Sequence, residues 1–369
     1  MRVETTHLRA ESPGSTRALT ALVFGSGVPK VYLQAGLHAD EMPGVLVLQM
    51  LIPLLESAEA EVVGEVWVVA AANPIGLSQW AAQKPLGRHE ADSLHNFNRG
   101  FPALADLVGD GLERQLTQDA DRNRDLIRAA FRAALAGTRA AAKSQMAEMQ
   151  AALLHWSCDA DFVLDLHCDH VAVLHLYASP ARPEVTDLLC RCIGADLALI
   201  HDISGGHAFD EAQTVPWLML QRRYGDRFPI PAACFSTTLE YRGQFDVDAT
   251  LAAVDAANLM TFLTAIGALN GTATPAHPAG PQLPLGGAGE AFAPQGGVVH
   301  WLRQPGDRVT AGQVLAQVVD PVSRISLPVP APNDGLLFRR ELWHSCLRGQ
   351  SLAHVAGENS VRAGHLLSD

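Results

Sequence analysis

Short apolar runs rich in valine and alanine, each closed by Gly, Pro or Asn, alternate with helix-forming stretches as far as about residue 267. "ALTALVF", "KVYLQAG" and "EVWVVAAA" open the series; "DFVLDLHC", "AVLHLYAS", "DLALIHDIS" and "AACFSTTLEY" continue it. Runs that are apolar at successive positions read as strands buried on both faces, because a half-exposed strand would be polar at every second position. Between them, "DEMPGVLVLQMLIPLLESA", a stretch from about Glu184 and "DVDATLAAVDAANLMTFLTAIGAL" fit helices. Residues 111–156 are alanine-rich with helical periodicity and a break near Gly137, which predicts two helices. The alternation implies an α/β fold: a mainly parallel or mixed sheet flanked by helices, with ligands at the carboxyl ends of its strands.

From Asn270 the composition turns to "NGTATPAHPAGPQLPLGG", the make-up of a linker. Short alternating runs with glycine turns and no helical period follow, which predicts a small all-β, barrel-like module. The chain is therefore expected to divide into an α/β domain (1–268), a linker (269–286), a β domain (287–358) and a tail (359–369).

Composition narrows the partners. The formal charge of -12 comes from 39 acids against 27 bases, and Lys30, Lys84 and Lys143 are the only lysines. Nucleic acid and anionic membrane surfaces both demand clustered positive charge, so neither is an expected partner. The N-terminal stretch has no apolar leader, and no apolar run is long enough to span a bilayer, so the cytoplasm is the expected location. Cys158, Cys168, Cys190, Cys192, Cys234 and Cys346 form no CxxC pair and are expected to be reduced and mostly in the core.

The chemistry gathers at strand ends. "GLHADE" places His38 and Glu41 three residues apart just past a strand, so that one helical turn would bring both to one side. A helix N-terminus with dipole-favoured acids has the same sequence, and the fragment alone leaves both readings open. "DFVLDLHCD" sets Asp165, His167 and Asp169 at alternate positions, hence on one face of a strand. Two imidazoles and a carboxylate at adjacent strand ends would be a three-ligand zinc set with an open fourth position; a satisfied core histidine is the alternative. "TTLEYRGQF" ends a third strand with Glu240, a candidate proton acceptor, and Arg242, either its partner or a substrate contact. The long connection 73–102 carries Arg88, Asn98 and Arg99 as candidate anion binders.

"GLHADE", "NPIG", "NFNRGFP", "DLHCD" and "LEYRG", in this order, resemble the succinylglutamate desuccinylase and aspartoacylase family of the zinc carboxypeptidase clan, over roughly residues 15 to 267. The resemblance implies one Zn²⁺ per chain on His38, Glu41 and His167, Glu240 as general base, and Asn98 with Arg99 on a substrate carboxylate. Arg88 resembles the arginine that stabilises the oxyanion. "NFNR" departs from the family's commoner "DLNR". The β module resembles the barrel that ends many of these deacylases and also looks like a biotinyl or lipoyl carrier. Carriers need an acceptor lysine, and none follows Lys143, so the module is expected to be a wall or cap beside the site or a contact between copies of the chain.

The expected function is zinc-dependent hydrolysis of a small N-acyl amino acid, with Asp165 and Asp169 as partners orienting a ligand imidazole. Residues 201–217 read as a glycine-containing substrate loop whose Asp210 and Glu211 would meet a cationic group. That would make the substrate an acylated diamino acid, as for the ectoine-degradation deacetylases of the family. A peptide carboxypeptidase and a non-catalytic binding protein with a degenerate site are the alternatives.

Overall fold

The computed structural model describes residues 1–109, 111–360, 362 and 366. Its centre is a nine-stranded sheet made of β1 (Arg2–Leu8), β2 (Arg17–Gly25), β3 (Lys30–Ala35), β4 (Glu65–Val69), β5 (Phe162–Asp169), β6 (His175–Ala178), β7 (Leu197–Ile200), β8 (Phe235–Gly243) and β9 (Gln282–Pro284). The spatial order is β1-β2-β4-β3-β5-β8-β6-β7-β9. The stretch β4-β3-β5-β8 is parallel throughout, and antiparallel pairs occur at β1/β2, β2/β4 and β8/β6. The sheet is thus mixed with a parallel centre, as the apolar runs require.

Helices cover both faces. On one face, α1 (Met42–Ser57), α4 (Pro183–Ile193) and α6 (Ala249–Ala265) enclose Leu33, Leu164, Leu166 and Leu239. On the other, α2 (Ala120–Ala141), α3 (Gln145–Ser157) and α5 (Phe209–Tyr224) enclose Tyr32, Trp67 and Val163. The break between α2 and α3 falls at residues 142–144, where Ser144 caps α3 by accepting from the Ala147 N–H; Gly137 lies inside α2. One glycine costs a helix about 1 kcal/mol, less than the packing of α2 returns. Residues 209–217, expected within a loop, open α5, and Pro216 lies inside that helix.

Two strands of the nine-stranded sheet lie outside the expected set. β1 is polar at alternate positions because it is the outer edge of the sheet. β9 sits in the Pro/Gly-rich stretch and pairs with β7, so the end of the expected linker belongs to the main sheet. All six cysteines are buried and unpaired with one another. No helix among the described residues is long and apolar enough to cross a membrane.

The C-terminal strands form two small sheets around a core of Val299, Leu315, Val318, Leu337 and Val355. One of them, β10 (Gly335–Arg340), pairs antiparallel with Val171–Ala172, immediately beyond β5. The β module is thereby fastened to the segment that follows His167.

Gly36, with φ of +71°, turns the chain away from β3, and Gly44 lets α1 approach β5. A Cβ at residue 44 would stand 2.7 Å from Leu166 Cβ and 2.9 Å from its carbonyl oxygen. Gly44→Ala is therefore expected to cost about 1–3 kcal/mol of stability despite alanine's better helix propensity, visible as a lowered Tm.

Candidate active site

Glu41 occupies the N-cap position of α1, with Pro43 following in the first turn, yet its side chain makes no capping bond. The carboxylate turns instead between two imidazoles. Oε1 lies 3.0 Å from His38 Nδ1, and Oε2 lies 2.8 Å from His167 Nδ1. Arg88 Nη1 donates to Oε1 at 3.2 Å and the Cys168 N–H to Oε2 at 3.2 Å. This decides between the two readings of "GLHADE": the acid serves the histidines and not the helix dipole.

Each imidazole is held from behind. His167 Nε2 donates to Asp165 Oδ2 at 2.9 Å, and Asp165 Oδ1 accepts from Gln34 Nε2 at 3.0 Å. His38 Nε2 is 2.8 Å from Asn96 Oδ1. With both Nε2 atoms engaged as donors, both Nδ1 lone pairs point at a carboxylate that can only accept. Acceptors facing at about 3 Å need a cation between them, a proton or a metal. The three donor atoms lie within 4.8 Å of one another and all three residues are buried, so the set fits one divalent ion held by nitrogen, nitrogen and oxygen.

The electrostatics agree. Burial lowers the His38 pKa to about 4, which leaves that ring neutral. Burial would lower His167 too, but Asp165 and Glu41 outweigh it and hold its pKa well above the ordinary value. Burial opposes ionisation of Glu41, and the two imidazoles overcome it and keep its pKa well below the carboxylate range.

Glu240 stands one strand over. In the parallel β8/β5 register it pairs with His167, and Thr238 pairs with Asp165, so all four side chains share a face. Burial, then Glu41 and Asp169, raise the Glu240 pKa to about 8, and its Oε2 is buried without a hydrogen-bond partner. An orphaned carboxyl oxygen beside an electron-pair donor set has the disposition of a proton carrier.

His38, Glu41, His167 and Glu240 line a cavity of about 420 Å³ that Arg88, Asn98, Arg99 and Asp210 also line. Asn98 Oδ1 accepts from the Phe209 N–H at 2.8 Å, which anchors α5. Arg99 Nη1 donates to the Asn98 carbonyl at 2.8 Å. Burial, followed by Glu211 and Asp165, raises the Asp210 pKa to about 7.

Three expectations are corrected. Arg242, with φ of +62°, turns away from the cavity and grips Asp255 of α6 through two bonds of 2.9 and 2.8 Å, so it is neither a substrate contact nor the partner of Glu240. Glu211 is occupied by the backbone N–H and hydroxyl of Ser204 and does not line the cavity. Asp169 does not orient an imidazole: Arg339 of the β module donates to it at 2.7 Å, and this cation, with two histidines, overcomes burial to hold its pKa low.

The β module supplies part of the wall, including Glu290, Phe338, Arg339, Glu341 and His354. His170 Nδ1 meets Glu341 Oε1 at 3.0 Å. Asn96 and these module residues escaped the sequence reading. For Asn96 the signal was the departure of "NFNR" from "DLNR", to which no role was attached; for the module, the expectation of a wall carried no residue with it.

Comparison with known proteins places these features. The succinylglutamate desuccinylase/aspartoacylase catalytic domain matches residues 27–204. Among solved structures, a family protein of this kind from Shewanella amazonensis is similar at 24% identity and TM-score 0.85, over 96% of this chain and 98% of that one. One from Shewanella frigidimarina follows at 23% identity and TM-score 0.82, over 96% of each chain. The product-bound ectoine utilization protein of Ruegeria pomeroyi shares 18% identity at TM-score 0.65, over 95% of this chain and 94% of that one. At these identities the likeness establishes the fold. No curated protein matches. The chain thus matches the succinylglutamate desuccinylase/aspartoacylase catalytic domain over residues 27–204, and it shares its fold along nearly its whole length with solved proteins of that description.

Proposed function

We propose that this protein is a zinc-dependent deacylase that hydrolyses the amide of a small N-acyl amino acid. The observation that carries the reading is the pair of imidazole lone pairs turned on the Glu41 carboxylate, beside the orphaned oxygen of Glu240. Zinc held by His38, Glu41 and His167 would acidify water and polarise a carbonyl.

The chain's own groups complete the chemistry. Glu240 takes a proton from the attacking water and returns it to the departing amine; a carboxyl whose pKa is raised toward neutrality suits both transfers. Arg88, beside Glu41, offers a guanidinium to the oxygen on which negative charge develops. Asn98 and Arg99 hold a substrate carboxylate. Of the two acids expected to meet a cationic substituent, Asp210 lines the cavity and Glu211 does not, and an acid at that place supports an acylated diamino acid over an acyl-aspartate. The wall contributed by the β module favours a small substrate over an extended peptide and so weighs against a carboxypeptidase.

Elemental analysis of the purified chain with a screen of N-acyl amino acids tests the proposal, with acetyl-diaminobutyrate and acetyl-aspartate in the first plate. About one zinc per chain and turnover of an acyl amino acid are expected. No metal after reconstitution would remove the hydrolase reading. Equal rates on the two acetylated substrates would remove the role given to Asp210. In the active assay, Arg99→Ala is expected to raise KM by about 10–100-fold, the loss of a charge-assisted hydrogen bond worth roughly 1.5–3 kcal/mol, with metal content unchanged.

A further inference from the structure

Asn96 is buried, and its Oδ1 lies 2.8 Å from the backbone nitrogen of Asn98 and 2.8 Å from His38 Nε2. A backbone N–H can only donate, so the amide must present its oxygen at this point. The same oxygen then requires a hydrogen on His38 Nε2, which leaves Nδ1 as the lone pair facing Glu41. Reversing the amide would set Nδ2 against the Asn98 N–H, donor against donor. In the observed orientation Asn96 Nδ2 is itself buried without a partner, so the orientation persists although half of the amide is unsatisfied.

We infer that Asn96 is a positioning residue that couples the metal ligand to the substrate grip. One carbonyl oxygen holds His38 in its Nδ1-ligating tautomer and fastens it to the backbone of Asn98, whose own carbonyl receives Arg99 and whose side chain anchors the start of α5. The inference rests on the metal reading above but concerns a residue outside the donor set. It also gives a location to the departure of "NFNR" from "DLNR": position 96 lies behind His38, where the backing group is a neutral amide, while His167 is backed by the Asp165 carboxylate. Groups that orient a ligand imidazole typically contribute about 10–100-fold to metal affinity, and an anion raises ligand basicity more than an amide does.

The test uses the full chain with zinc as the probe. Zinc affinity by chelator competition, KM with kcat on the preferred acyl amino acid, and histidine tautomers by nitrogen-15 NMR of metal-free protein are compared in wild type, Asn96→Ala and Asn96→Asp. Asn96→Ala is expected to bind zinc about 10–100-fold more weakly, to raise KM and to lose the single Nε2–H tautomer of His38. Asn96→Asp, which keeps an acceptor for both N–H groups and removes the unpaired amide, is expected to bind at least as tightly as wild type and to keep the tautomer. Wild type that binds zinc alongside Asn96→Ala that matches it in affinity and KM would overturn this inference and leave the metal centre standing. Wild type that binds no zinc would remove the metal centre itself. Should Asn96→Ala fail to fold, Asn96→Asp decides: a tenfold loss of affinity in that variant overturns the inference.

Discussion

Glu240→Gln is expected to lower kcat by about 10²–10⁴-fold while the chain keeps its full complement of metal. Glutamine preserves the volume and hydrogen-bonding span of the side chain but can neither accept a proton from water nor return one to an amine. Glu240 stands outside the His38, Glu41 and His167 donor set, so its replacement removes no ligand. Steady-state kinetics on the preferred substrate, with elemental analysis of the same preparation, separates the outcomes. A variant that loses its metal would make Glu240 a ligand; one that retains kcat within a few-fold would move proton transfer to another group.

The same substitution should stabilise the metal-free protein at alkaline pH. A glutamate in the unfolded chain releases its proton near pH 4.5, whereas in the folded chain burial with Glu41 and Asp169 delays release to about pH 8. Between these values the folded state binds more protons than the unfolded state, so stability falls as pH rises and levels off above pH 8. At roughly 1.4 kcal/mol for each tenfold change in proton affinity, the wild-type loss amounts to at most a few kcal/mol. Glutamine has no such slope. The Tm gap between Glu240→Gln and wild type should therefore be small below pH 4.5, where both states hold the proton, and widen toward pH 8. Asp210, raised to about 7, has the same sign, so the variant retains a weaker decline. A gap independent of pH would mean that Glu240 is ionised throughout. The activity of this acid and its cost to stability thus have one cause, its burial among other carboxylates.

The features legible in the sequence were those determined within a few residues. His38 and Glu41 are brought together by one turn, His167 and Asp165 by strand alternation, and Glu240 by the end of an apolar run. What escaped depended on partners far along the chain. Asp169 has the spacing of an imidazole partner, but Arg339, 170 residues later, takes it. Arg242 follows the strand pattern until the ladder shifts between Glu240 and Gly243 and a positive φ sends its side chain to Asp255. Glu211 looks like a loop acid, and the helix that begins at Phe209 turns it onto Ser204. β1 and β9 were missed because edge strands need not be apolar on both faces.

His38→Ala and His167→Ala are both expected to abolish stoichiometric zinc binding, since two protein ligands do not retain the ion that three hold. They should differ sharply in stability. Removing His167 strips the Asp165 carboxylate, wholly buried in the sheet, of the imidazole N–H it accepts and leaves only Gln34 beside it. Breaking a buried charged pair from one side costs about 3–5 kcal/mol. Removing His38 leaves a neutral amide oxygen that still receives the Asn98 N–H and a Glu41 carboxylate that keeps Arg88, the Cys168 N–H and His167, so the loss should be about 1–3 kcal/mol. Thermal melts of the two metal-free variants are accordingly expected to place His167→Ala well below His38→Ala, although elemental analysis finds both without metal. Equal melts would mean that the contact between His167 and Asp165 adds no net stability. Zinc retained in either variant would remove that histidine from the donor set.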